Sequence, residues 1–119
     1  MKMQIQLATA PGIEPIIVSA NTVWPFGMHK NPDGNGRPND PRAWTVTHVQ
    51  SGLKIGDFRT RRLALMCAEA LIRTATDWDF SDGKAFNPEP STLKLCSSII
   101  RYYQLQGIEH ASPTDLVLA

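Results

Sequence analysis

The chain has 119 residues, 42% of them hydrophobic, and a formal net charge of +1. A single domain of this size buries roughly two-thirds of the surface its unfolded chain exposes, so neither a disulfide framework nor a structural metal is needed to stabilise it. No apolar run approaches the ~20 residues of a membrane-spanning helix, and residues 1–15 hold no apolar core ahead of a small-residue cleavage site, so a cytoplasmic protein without membrane contact is expected.

Cys67 and Cys96 sit in separate apolar helical runs with no C-x-x-C, and His29, His48 and His110 lie far from both in sequence. Buried thiols are expected there rather than a zinc site, and no metal or cofactor is assigned. The charge is unevenly divided. Residues 30–73 carry eight basic against four acidic side chains, and residues 74–119 carry three against six. A positive middle and a negative end can steer partners of either sign.

In chain order, Gln4 to Ala8 alternates apolar and polar residues and predicts a half-buried strand. Ala10-Pro11-Gly12 is a turn, and Pro15 to Ala20 (PIIVSA) predicts a second strand pairing back on the first. From Asn21 to Arg42 the density of Asn, Asp, Gly and Pro predicts a long exposed loop rooted on Trp24-Pro25-Phe26. Trp44 to Val49 and Leu53 to Phe58 read as a hairpin closed by Gln50-Ser51-Gly52. His48 shares a strand face with Trp44 and Val46 and is expected half-buried.

Thr60 is the expected N-cap of a helix whose apolar stripe is Leu63, Met66, Cys67, Ala70, Leu71 and Thr74. Asp77 to Gly83 ends it. Ser91 is the expected cap of a second helix with Leu93, Cys96, Ile99, Ile100 and Tyr103 on its stripe, ending at Gly107. The expected fold is α+β: a four-stranded, mainly antiparallel sheet of order ββ-loop-ββ, covered on one face by two helices. Residues 1–109 form one domain and residues 110–119 a tail.

No G-x-S-x-G, H-E-x-x-H or nucleotide-binding glycine pattern is present, and Cys67 lies mid-helix on an apolar face, so no catalytic residue is assigned. Two loops match parts of a calcium site. Asn31, Asp33, Asn35 and Gly36 fit the first, third, fifth and sixth ligand-loop positions, but Arg42 stands where a bidentate Glu belongs. Asp77 to Gly83 has alternating oxygen ligands but its Gly one place late and Pro88 at the twelfth position. Turn chemistry accounts for both, and a calcium module is the third reading of the chain.

Arg59, Arg61 and Arg62 crowd the start of the first helix, where its dipole is already positive. Arg forks suit carboxylates and phosphates, so the expected partner-binding residues are Lys54, Arg59, Arg61 and Arg62, with Trp24, Arg37 and Arg42 from the preceding loop. Trp24, Trp78, Tyr102 and Tyr103 are expected as exposed aromatics near loops.

Gly56-Asp57-Phe58-Arg59-Thr60, followed by Ala64, Ala68, Glu69 and Leu71, resembles a recurrent G-x-F-x-T-x-x-x-A-x-x-x-A-E-x-L hairpin-to-helix pattern. It is similar to the small sheet-plus-helix DNA-binding modules of the AP2-like and integrase arm-binding type. With Trp44-Thr45-Val46-Thr47-His48 and Ser51-Gly52-Leu53 included, the segment resembles short phage- and plasmid-encoded proteins. The resemblance covers about a quarter of the chain and implies association with a mobile element. The expected function is therefore that of a non-enzymatic accessory protein that binds a host or phage macromolecule. A protein partner is the first reading and nucleic acid the second, with the oligomeric state left open.

Overall fold

The computed structural model describes residues 2–34 and 40–106. Five strands form one antiparallel meander in chain order: β1 (Lys2–Leu7), β2 (Ile16–Val23), β3 (Phe26–Lys30), β4 (Trp44–His48) and β5 (Lys54–Phe58). Two helices follow, α1 (Arg61–Ile72) and α2 (Pro90–Leu105), with a single 3-10 turn at Gly83–Ala85 between them. The α+β class and both helices are as expected, but the sheet has five strands instead of four.

The extra strand lies in the segment expected to be loop. Trp24 and Pro25 form a tight turn, and Phe26-Gly27-Met28-His29-Lys30 pairs with both neighbours, Phe26 opposite His48 and Asn21 opposite Met28. Its alternation is the reason: Phe26 and Met28 are buried on the helix side, while Gly27 and His29 face the other way. The Gly/Pro/Asn signal applies only to the shorter connection after Lys30.

The main core lies between the sheet and α1. Phe26, Met28, Val46 and Phe58 meet Ala64, Cys67, Ala68 and Leu71, and Cys96 of α2 closes the far side. Removing Phe26, Phe58 and Leu71 from water is worth ~1.5–3 kcal/mol each. Gly56 lies opposite Val46, and a Cβ there would sit 3.2 Å from Ile100 Cγ2 of α2, so the missing side chain lets α2 close on β5.

On the opposite face the sheet curls. The Ala8 N–H donates to the Gly52 carbonyl at 2.8 Å, which joins the end of β1 to the β4–β5 turn. A second, smaller core lies inside the curl, where Ile5 and Ala20 cover Gly27.

Thr60 caps α1 as expected, its hydroxyl accepting from the Leu63 N–H at 3.1 Å. The second helix starts earlier than expected. Pro90 is its first residue and Glu89 the cap, so Ser91 lies inside the first turn. It ends at Leu105; Gly107 and the tail from residue 110 lie outside the described residues. Met66 and Leu93, expected on buried stripes, are 38% and 46% exposed, because each helix buries a narrower face than its apolar pattern allows.

Candidate interaction surface

Asp57 organises the charged face. It is buried on β5 opposite Thr45, whose hydroxyl donates to Asp57 Oδ1 at 2.6 Å. Its other oxygen accepts from Arg42 Nε at 3.3 Å and Lys54 Nζ at 3.1 Å. A break in register between Val46 and Thr47 places Lys54 opposite Thr47, on the same face as Asp57. Two expected binding residues from different elements, Arg42 and Lys54, are therefore gathered on one carboxylate, with their side chains 58% and 56% exposed.

Phe58 pairs with Trp44, so the chain leaves β5 at the sheet end where Arg42 enters β4. Arg59, Arg61 and Arg62 start at that same end. Arg61 and Arg62 are exposed and Arg59 half-buried. The first turn of α1 holds no acidic residue, and among the described residues none of the three arginines makes an ion pair. Arg42 and Lys54 thus share the Asp57 carboxylate, while Arg59, Arg61 and Arg62 cluster separately about the start of α1.

Trp24 does not join them. It is 60% exposed at the β2–β3 turn, beside Val49, whose N–H donates to the Pro25 carbonyl at 2.9 Å. That is the other end of the sheet, separated from the arginines by a strand of about 15 Å. Arg37 lies outside the described residues.

Next to Asp57, the curled face forms a cavity of about 230 Å³ whose lining includes His29, Thr45, Thr47, Asn31, Asp33 and Lys54. His29 is buried, with Nδ1 2.9 Å from the Lys30 carbonyl and Nε2 2.8 Å from Thr47 Oγ1. A carbonyl only accepts, so Nδ1 carries the proton and Thr47 donates to Nε2. Burial pushes the His29 pKa down, opposed by the Lys30 carbonyl and the charge of Asp57. The sequence reading did not single out His29; its signal was the Phe26/Met28 alternation, which places it on this face once β3 is recognised.

His48 is fully buried rather than half-buried. Its Nε2–H donates to the Trp78 carbonyl at 2.7 Å, and Nδ1 accepts from the Ser51 hydroxyl at 2.7 Å. Phe80 stacks on its ring at 4.2 Å. Ser51 Oγ also accepts from the Leu53 N–H at 3.2 Å, so this pair closes the hairpin turn and ties residues 78–80 to the sheet. Burial lowers the His48 pKa, against the raising effect of the Trp78 carbonyl.

Trp78 and Tyr103, expected exposed, are partly buried against the core, while Tyr102 is exposed as expected. Trp78 packs edge-on to Phe26 and stacks on Phe86, contacts between distant segments that local sequence does not display. In the calcium-like loops, Asn31 Oδ1 accepts from the Asp33 N–H, Asp77 Oδ1 from the Asp79 N–H, and Asp82 Oδ1 from the Lys84 N–H, each in a local turn, while Asn35 and Gly36 lie outside the described residues. Cys67 and Cys96 are both buried free thiols. Among the described residues no helix is long and apolar enough to cross a membrane. Comparison of the chain with protein-family models, curated proteins and solved structures finds no match.

Proposed function

We propose that this chain acts by binding rather than by turnover: an accessory protein of a mobile element that docks an acidic protein surface on the β5–α1 junction. The observation that carries the reading is the set of arginines at 59, 61 and 62, held around the start of α1 with no carboxylate of their own among the described residues. They oppose the helix dipole, at a local cost of a few tenths of a kcal/mol each. An acidic partner would satisfy them with charge-assisted bonds. Arg42 and Lys54, held on Asp57, are two further exposed cations carried by the same sheet.

Nucleic acid is the second reading, because the same guanidinium forks match phosphate. A protein partner is favoured over a single strand because exposed Trp24 stands at the opposite sheet end, away from the phosphate-pairing groups.

The test compares wild type with Arg59→Gln, Arg61→Gln and Arg62→Gln combined. The variant should keep its urea midpoint and lose the protein that wild type captures from host lysate. Unchanged capture would refute the reading. Retardation of duplex or single-stranded DNA that collapses as salt rises, with no protein captured, would establish the second reading instead.

A further inference from the structure

A second surface lies at the other end of the sheet, and it is negative. Trp24 and Pro25 of the β2–β3 turn face Thr76–Asp79 across an open groove of about 430 Å³, with Gln50 beside them. Trp24, at 60% exposure, is among the most exposed large apolar side chains described.

The groove's charge is available. Asp77 uses one oxygen to accept the Asp79 N–H at 2.9 Å, and Asp79 uses one to accept from Gln50 Nε2 at 2.9 Å. Each keeps its second oxygen, and neither has an ion-pair partner among the described residues. The walls are also fixed. The Pro25 carbonyl accepts from the Val49 N–H, Trp78 Nε1–H donates to the Leu71 carbonyl at 3.3 Å, and the Trp78 carbonyl is held by His48. The backbone on either side of the groove is thus tied down before a partner binds, which limits the ordering that binding must impose.

We propose that this groove takes an arginine side chain of a partner protein. A guanidinium stacks flat on an indole and forks to carboxylates with the same plane, whereas a lysine ammonium is a strongly hydrated point charge. The site is independent of the arginine surface at the opposite end, so either can fail without the other.

The probe is the peptide acetyl-Gly-Arg-Gly-amide, titrated into the labelled protein while the backbone amides of Asp77 to Asp79 are followed by NMR. Saturable shifts are expected there. The citrulline peptide, of similar shape but uncharged, should bind about tenfold more weakly or not at all. Trp24→Ala should abolish the shifts. Asp77→Asn combined with Asp79→Asn keeps a carbonyl oxygen to accept from the Asp79 N–H and from Gln50, so it should fold normally and lose binding. Arg59→Gln, Arg61→Gln and Arg62→Gln combined should bind the peptide as wild type does. A silent arginine peptide, equal binding of citrulline, or undiminished binding by the folded Asn variant would overturn the proposal. Equal binding of the lysine peptide would overturn the guanidinium assignment.

Discussion

Gly52→Ala is expected to be the most damaging small substitution on the curled face. Gly52 has φ +73°, a conformation that costs an alanine about 1 kcal/mol relative to glycine. Space makes it worse, because an added Cβ would stand 2.6 Å from the Gln6 carbonyl oxygen and 2.8 Å from the Ala8 nitrogen. Both are backbone atoms of the β1 end and cannot swing aside as a side chain would. Relief requires β1 to separate from the turn, which breaks the Ala8–Gly52 hydrogen bond at a further cost of about 1 kcal/mol. The total is roughly 2–4 kcal/mol. Gly12→Ala is the control. Its φ is +82°, but nothing lies within 4 Å of the added Cβ, so it should lose only the conformational term, about 1 kcal/mol. In urea, with a slope of ~1.5–2 kcal/mol/M, the two variants should differ in midpoint by about 1 M. Equal losses would refute the claim that β1 seals the curl on Gly52.

Stability should fall on mild acidification. His29 and His48 are both held below the ordinary value of 6.5 mainly by burial. The unfolded chain therefore takes up protons first; stability is fully present above 6.5 and is lost as pH falls toward the folded-state values. The urea midpoint should be lower at about pH 5 than at about pH 7.5, with a slope of at most ~1.4 kcal/mol per pH unit for each histidine, and an unchanged midpoint would show that the imidazoles are not kept neutral. Cys67 should resist alkylation in the folded protein, because it is fully buried and burial, aided by Cys96, pushes its thiol up to about 12. Mass spectrometry after iodoacetamide treatment should find it modified only when urea is present; modification in native buffer would place it nearer solvent than described.

Local patterns determined much of this fold. Strand alternation, the Gly12 and Gly52 turns and the Thr60 cap each act within a few residues, and all are readable without knowledge of the partners they meet. The arginine cluster is local in the same way, since Arg59, Arg61 and Arg62 lie within four residues and stay together whatever the rest of the chain does.

What the local pattern missed depends on contacts distant in sequence. Phe26–Lys30 is a strand because two neighbours pair with it and a helix covers Phe26 and Met28, which outweighs the loop signal of the residues after it. Trp78 is partly buried because Phe26 and Phe86 converge on it. The tertiary structure alone gathered Arg42 and Lys54 onto Asp57, and set Trp24 against Asp77 and Asp79 at the other end of the sheet. Charge and burial are properties of assembled surfaces, and side chains far apart in sequence become neighbours only when strand register and curl bring their backbones together.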